Sequence, residues 1–307
     1  MTHLLQSPPW EAFQHELGKK TVTASDNTWS YMAIIEPSRA ASRIYAPYGP
    51  IVQSSDALKQ ATQSLVRDAR KAGVAYIRVE PTGNVSATDL AQQGYQKVAA
   101  SQPEHTWCID VTTSTTDELI ANMSQPNRNS YRNYQKKGLT IHTSTNPDDI
   151  TILTTLLRSV ASRNAIRTHS DGYFHTQATT LMQRDAATLY YVLFEGQPIA
   201  AALVYDSDTT RYYAHAAASY AHRKLNPGAI IVSSLIVDAK NKGLQTVDLY
   251  GITDSEDPNH PWAGFTKFKK SFGGYPVDYV GRWELPVNHA RYRFYRLGLA
   301  IYRHLRK

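Results

Sequence analysis

The sequence predicts an α/β (α+β) protein of two domains, each a mixed, twisted sheet flanked by helices. Three observations carry this expectation: the length, the alternation of strand-like and helix-like periodicity, and a strand, loop, helix and strand unit that occurs twice. At 307 residues the chain suffices for two domains of ordinary size, each able to bury a core.

Helical spacing of Trp10, Phe13 and Leu17 behind Ser7-Pro8-Pro9 predicts an opening helix over 10–17. Strand-like runs follow at 30–35 and 42–46, then the turn Pro47-Tyr48-Gly49-Pro50, a helix over 55–72 ended by Gly73, and a strand over 75–79. The same order returns later. Arg211-Tyr212-Tyr213-Ala214 echoes Arg43-Ile44-Tyr45-Ala46, and Asp238-Ala239-Lys240-Asn241-Lys242-Gly243 echoes Asp68-Ala69-Arg70-Lys71-Ala72-Gly73. After each glycine comes an apolar strand, so the two stretches read as a duplicated unit; with two copies, chance similarity is the competing reading.

Between the copies lie a strand over 106–111, a helix opening at Thr116-Asp117-Glu118, and, past Pro126, a helix over 127–138. On the latter Arg128, Arg132 and Lys136 stand at i, i+4 and i+8 on one face, with Gly138 as its end. That stripe reads as a solvated face or as a phosphate-contacting one. A helix over 148–162, the segment 163–174, a further helix, and a hairpin of strands at 188–194 and 198–206 turning at Gly196 complete the approach to the second copy. The element order is of acyltransferase type, with the domains joined near Val111. The expected division is 1–110, completed by a C-terminal helix over 285–307, and 111–284.

Composition bounds the function. The net charge of +7 and the pI near 9.3 favour polyanionic partners, leaving nucleic acid, anionic lipid and phosphorylated substrates open. The 20 tyrosines suit a site that grips sugars, peptides or nucleotides, and equally suit half-buried strands. No run of about 18 apolar residues is present, and the first residues lack the basic and apolar regions of a signal peptide. A cytoplasmic location is therefore expected. Cys108, the single cysteine, excludes an internal disulfide and reads as a buried thiol.

The stretch 261–274, Pro-Trp-Ala-Gly-Phe-Thr-Lys-Phe-Lys-Lys-Ser-Phe-Gly-Gly, concentrates three lysines among aromatics. Taken alone it reads as an edge strand guarded by lysines. Because neighbouring side chains diverge in any regular structure, one ammonium can face a cleft while Lys267 and Lys270 point elsewhere. In the loop before the second repeat's helix, Ser219-Tyr220-Ala221-His222-Arg223-Lys224-Leu225-Asn226-Pro227-Gly228, one glycine and a proline without an N–H make a poor pyrophosphate nest. CoA chemistry is disfavoured there.

Several motifs together resemble the Fem aminoacyltransferases, the FemABX family, which build peptidoglycan interpeptide bridges from aminoacyl-tRNA. They are Ser7-Pro8-Pro9-Trp10 with Phe13-Gln14, 45–50, 107–110, 128–138, 213–219, 248–252 and 261–274, in order along nearly the whole chain. The resemblance implies two acetyltransferase-like (GNAT-like) domains, a monomer, aminoacyl-tRNA as co-substrate, no cofactor and no metal. It also implies a UDP-linked or lipid-linked muropeptide as acceptor. No sustained heptad segment is present, so the chain looks like the compact, armless type.

By the same resemblance Lys269, in the pair Phe268-Lys269, is the catalytic cation. Trp10, Gln14, Tyr48, His169, Tyr173, Tyr213, Tyr250 and Phe268 line the substrate cleft, and Arg128, Arg132, Lys136 and Lys267 contact tRNA. Where the family holds a diphosphate with two basic residues, this chain has Gln14 and His169. No general base identifies itself, and Asp248 reads as a structural partner.

From 286 to 307 the chain has no acidic residue. Arg291, Arg293, Arg296, Arg303, Arg306 and Lys307 accumulate there, while Phe294, Leu297, Ile301 and Leu305 recur at helical spacing. This basic amphipathic helix either packs on the N-terminal domain by its apolar stripe or also meets the anionic inner leaflet of the plasma membrane. Two alternatives stand beside aminoacyl transfer: a CoA-dependent N-acyltransferase, and a non-catalytic RNA or membrane-surface adaptor.

Overall fold

A computed structural model of the chain describes residues 3–38, 40–164 and 167–304. Expectations placed on Met1, Thr2, Ala165, Ile166, Leu305, Arg306 and Lys307, and on the side chain of Arg303, lie outside the described residues.

The chain forms two compact units. The N-terminal unit opens with α1 (Pro8–Glu16), the hairpin of β1 (Lys20–Ser25) and β2 (Trp29–Glu36), and β3 (Arg43–Ala46). It continues through β4 (Ile51–Val52), α2 (Ser55–Lys71), β5 (Tyr76–Val79), β6 (Thr82–Gly83), α3 (Ala87–Gln92) and β7 (Gln96–Lys97). The second unit holds β8 (His105–Asp110), α4 (Thr116–Ala121), α5 (Gln125–Asn133), β9 (Leu139–Ser144), α6 (Ile150–Asn164) and α7 (Asp171–Met182). Then come β10 (Ala187–Phe194), β11 (Gln197–Asp206), β12 (Thr210–Ala218), α8 (Pro227–Asn241), β13 (Thr246–Gly251), α9 (Ala263–Lys270) and β14 (Tyr275–Asp278). The chain returns to the first unit with β15 (Trp283–Pro286) and α10 (His289–His304).

The first sheet runs β6-β4-β2-β3-β5-β15-β7, with β1 paired to β2; the second runs β14-β8-β13-β12-β11-β10-β9. Two mixed α/β domains are therefore present. Their boundaries fall at 104/105 and 278/279, not at 110/111 and 284/285, and the described residues before Leu5 belong to the second unit. The reason is pairing: β8 sits between β13 and β14 in the second sheet, and β15 sits between β5 and β7 in the first.

The duplicated unit exists in space. In the N-terminal unit β3 and β5 are parallel, with Arg43 opposite Tyr76; in the second β12 and β13 are parallel, with Arg211 opposite Val247. Each crossover helix ends on a glycine of positive φ, Gly73 at 64° and Gly243 at 73°, the left-handed closure that glycine adopts without a Cβ clash. The echoed aspartates have matching roles: Asp68 accepts from Tyr31 Oη and Asp238 from Tyr190 Oη. The arginines match too. Arg43 pairs with Glu36 directly across β2, and Arg211 with Asp206 directly across β11.

Arg211 is fully buried. Its Nε and Nη2 donate to the two Asp206 oxygens at 2.7 Å each, and Nη1 reaches Asp238 at 2.6 Å, Tyr190 Oη at 2.8 Å and the Leu235 carbonyl at 3.1 Å. The network ties β10, β11, β12 and α8 together at one end of the second core. Removing one partner of a buried ion pair leaves the rest uncompensated. Arg211→Ala should therefore lose about 3–5 kcal/mol in urea unfolding, whereas Arg43→Ala, whose pair is a quarter exposed, should lose less than about 1 kcal/mol. Equal losses would contradict this account of burial.

Candidate functional site

The second repeat departs from the first in one respect. All four residues of β3 pair with β5, whereas β12 pairs with β13 only at Thr210, Arg211 and Tyr212. Beyond Tyr212 the strands part. β12 continues along β11 to Ala218, with a bulge where Tyr213 and His215 face consecutive β11 residues. β13 continues beside β8, with its own irregularity between Asp248 and Gly251. Such bulges bend a strand and re-aim its side chains.

A cavity of about 520 Å³ opens in this split. Ala200 and Ala201 of β11, Tyr213, Ala214 and Ala216–Ala218 of β12, the loop through Ser219, Tyr220, Arg223 and Asn226, the start of α8, Tyr250 of β13, and Phe265, Phe268 and Lys269 of α9 line it, with Arg163 at the end of α6. The small side chains of β11 and β12 leave the space open. Tyr213, Tyr250, Phe268 and Lys269, predicted from sequence, meet here. Arg163, Tyr220, Arg223 and Asn226 were not predicted; the loop's basic and aromatic content was visible, but the return of α6 to it was not.

The lysine-rich stretch is a helix followed by a strand, which corrects the edge-strand reading of 261–274. On α9 successive residues are about 100° apart, so Lys267 is exposed, Lys270 lies 5.5 Å from the Trp107 ring centroid, and Lys269 turns into the cavity. The edge strand is β14, entered through Gly273 and Gly274 with φ of 80° and 96°. A Cβ on Gly274 would stand 2.2 Å from the Cys108 carbonyl oxygen, so the glycine admits the chain's own backbone. Three bonds fix α9: Thr266 Oγ1 accepts from Thr253 N at 3.0 Å, Trp107 Nε1 donates to Gly273 O at 2.6 Å, and Asn127 Nδ2 donates to Ser271 Oγ at 2.7 Å.

Lys269 Nζ donates to the Gly251 carbonyl at 2.5 Å. Burial lowers its pKa to about 8, while Asp248 opposes that shift. Asp248 is buried at 3% exposure, and burial raises its pKa to about 7 against its bond from Tyr250 N at 2.7 Å and the charge of Lys269. Tyr250, held at φ of 66°, is a non-glycine residue in a conformation that costs free energy and clusters at functional sites. The split thus ends in a strained tyrosine, a carbonyl and an ammonium, with a carboxyl behind them. Burial also raises the Cys108 thiol pKa; the thiol is buried, as expected.

Other predicted residues sit elsewhere. His169 stacks on Tyr173 at 4.0 Å, with His215 6.4 Å from His169, beside α7 in the second unit. Trp10 and Gln14 are buried on α1 of the N-terminal unit, and Tyr48, 1% exposed, donates to Pro103 O at 3.1 Å in the same unit. Of the basic stripe, Arg128 donates to the carbonyls of Ala121 and Met123, closing the end of α4. Arg132 and Lys136 are exposed, but α5 ends at Asn133 and Lys136 stands on a separate 3₁₀ turn. The three side chains do not share one helix face. Among the described residues no cluster of His, Cys, Asp and Glu is arranged to hold a metal.

An unfolded aspartate ionises near 3.8 and folded Asp248 near 7. Between these values the folded state holds a proton that the unfolded chain has released, so this group makes stability fall as pH rises from about 4 to 7. Denaturation midpoints across that range should show the slope, and Asp248→Asn should flatten it. An unchanged slope would mean that Asp248 ionises at its ordinary value.

A crystal structure of FemX superposes with a TM-score of 0.83 at 16% identity over 95% of this chain and 94% of that one. L-PGS from Bacillus licheniformis superposes at 0.61 with 14% identity, covering 92% and 93%. A tandem GNAT protein from the clavulanic acid biosynthesis pathway superposes at 0.53 with 14% identity, covering 87% and 83%. At these identities the likeness is one of fold: two acetyltransferase-like domains in tandem. No curated protein matches the sequence. The model of the FemAB family matches residues 90–196 and 194–298, more than half the chain, and the chain belongs to the FemAB family.

Proposed function

We propose that the protein transfers an amino acid from aminoacyl-tRNA to the stem-peptide amine of a peptidoglycan precursor, with Lys269 as the catalytic cation. The observation that carries this reading is Lys269 itself, held against the Gly251 carbonyl at the open end of the β12–β13 split in a cavity that no carboxylate lines. Family membership and the FemX-like fold support it.

In this reading the amine nitrogen attacks the ester carbonyl, the carbonyl oxygen takes up negative charge, and the bond to the ribose oxygen then breaks. An amide forms, the amine gives up a proton, and the ribose oxygen leaves as a hydroxyl carrying one. A fixed ammonium beside the developing oxyanion lowers the barrier by about 3–4 kcal/mol, because it is already oriented and shielded from water. Lys269 suits that role: the Gly251 carbonyl accepts from it, and Asp248 opposes the burial that draws its ammonium toward neutrality. The alternatives are less well supported. The loop before α8 begins its helix at Pro227, which offers no N–H to a CoA pyrophosphate, and a non-catalytic adaptor has no use for a buried lysine.

The acceptor's location belongs to the same proposal. α10 packs inward through Tyr292 and Tyr295, whose rings lie 5.3 Å from that of Tyr76. The predicted stripe points outward: Phe294, Leu297 and Ile301 are 76%, 59% and 53% exposed. Packing on the unit thus uses the tyrosines and leaves the stripe uncovered among the described residues. Flanked by Arg291, Arg293 and Arg296, it suits peripheral contact with an anionic leaflet carrying a lipid-linked precursor. Among the described residues no helix is long and apolar enough to cross a membrane.

Incubation with a pool of charged tRNAs and both precursor forms, read by product mass, should yield a precursor extended by one amino acid. Lys269→Ala should lower kcat about 10²–10³-fold, and wild-type kcat should fall as pH rises through about 8, where the ammonium is lost. Wild-type protein that transfers nothing would overturn the assignment. Vesicles containing anionic lipid should co-float with the protein and release it on Leu297→Asp; flotation that ignores the substitution would remove the stripe from the account.

A further inference from the structure

Four arginines from distant parts of the chain converge within the N-terminal unit. Arg43 of β3, Arg78 of β5, Arg282 just before β15 and Arg296 of α10 line a cavity of about 390 Å³. Among the described residues Glu284 is the one acidic side chain in that lining. Its oxygens are already engaged: Oε1 accepts from Arg78 Nε at 2.9 Å and Nη2 at 2.5 Å, and Oε2 accepts from Tyr292 Oη at 2.8 Å, with Arg296 Nη1 3.6 Å away. Arg43 pairs with Glu36 and Arg282 Nε reaches Glu80 at 3.3 Å, but neither carboxylate lines the cavity. Glu80 also accepts from Tyr45 Oη at 2.5 Å and Gln102 N at 3.2 Å. Four guanidinium groups thus meet three carboxylates, and one positive charge is left over.

Arg211 shows what a purely structural buried arginine looks like in this chain: Nε, Nη1 and Nη2 all donate. The arginines of the cavity differ. Arg282 bonds through Nε alone and Arg78 through Nε and Nη2, so among the described residues both terminal nitrogens of Arg282 and Nη1 of Arg78 lack an acceptor. The two side chains are each 12% exposed, so the cavity is where these nitrogens meet an acceptor. A buried donor left unsatisfied is costly. A phosphate answers several guanidinium forks at once, because its oxygens accept in the paired geometry that arginine presents.

The cavity also has a position that matters. Arg296 borders both it and a larger cavity of about 1000 Å³ along α10, which Phe294 and Leu297 line. A phosphate seated on the arginines therefore lies beside the outward apolar stripe. Arg293 borders the larger cavity only.

We propose that Arg43, Arg78, Arg282 and Arg296 form a binding site for a phosphate group, with Arg78 and Arg282 donating to its oxygens from the cavity wall and Arg296 closing it from α10. The phosphate belongs either to the headgroup of an anionic phospholipid or to a free phosphate ester. Only the lipid source rests on the membrane contact proposed above for α10, and the site itself does not depend on aminoacyl transfer.

The test uses the full chain and two probes. Glycerol 3-phosphate is titrated by calorimetry, and flotation is measured with phosphatidylcholine vesicles that contain or lack phosphatidylglycerol. Arg282→Gln keeps a donor near Glu80 and removes the unpartnered fork; it should weaken binding about tenfold, as loss of a charge-assisted hydrogen bond does. Arg296→Gln, at a side chain 46% exposed where folding is not at stake, should weaken it several-fold. Arg293→Gln removes the same charge outside the cavity and should leave glycerol 3-phosphate binding unchanged. Flotation that needs phosphatidylglycerol and weakens in Arg282→Gln assigns the phosphate to a lipid headgroup. Glycerol 3-phosphate binding without flotation assigns it to a free ester, which leaves the site standing and removes the membrane contact. Wild-type protein that binds neither probe would overturn the site. So would Arg282→Gln and Arg296→Gln variants, folded by circular dichroism, that bind as the wild type does. Equal losses in Arg293→Gln and Arg282→Gln would mark general charge attraction and overturn it as well.

Discussion

Burying the Arg211 guanidinium is the constraint on which the second unit depends. A charge without water is costly, and the cost is offset only when every nitrogen finds a partner of good geometry. Here the partners come from three elements: Asp206 on β11, Asp238 and the Leu235 carbonyl on α8, and Tyr190 on β10. These elements can satisfy the arginine only in one arrangement, with α8 against the sheet and β12 beside β13 at its first residues. The closed end of the split is thereby fixed, and with it the place where the strands begin to part.

The contrast with the N-terminal unit shows what the parting accomplishes. There the equivalent arginine is partly exposed, the parallel pair stays closed over its whole length, and the turn after β3 leads straight into β4. A duplicated unit has thus kept one copy closed and opened the other. In the open copy the parting strands would leave backbone groups without ladder partners, which is tolerable only where a side chain or a ligand can satisfy them. Lys269 satisfies one, at Gly251.

That bond also explains the electrostatics. An ammonium in an apolar wall tends to lose its proton, and a carboxylate there tends to gain one. Lys269 and Asp248 each oppose the other's shift, and both remain displaced toward neutrality, near 8 and 7. The result is a cation close to its ionisation point at the mouth of a cavity lined otherwise by small and aromatic side chains and by two arginines. Such a place favours developing negative charge over water.

The sequence by itself determined the local elements and the duplication. Helical spacing, glycine closures and the Asp-Ala-basic run predicted α1, α2 and α8, and the strands β3, β5, β12 and β13, because these signals depend on neighbours within a turn or a strand. The family motifs singled out Lys269 and its neighbours. Short or polar strands such as β7, β9 and β15 carried no such signal, since their stability comes from pairing partners up to two hundred residues away. For the same reason the boundary residues were misplaced by six at each end. Only the tertiary structure decided that 263–270 is a helix turning one lysine inward, that Arg128 closes a helix instead of standing free, and that the α10 stripe faces outward. It alone brought Arg163 to Tyr220 and Arg223. A side chain's chemistry is written in the sequence; which partner occupies it depends on burial and on long-range packing, which no local pattern encodes.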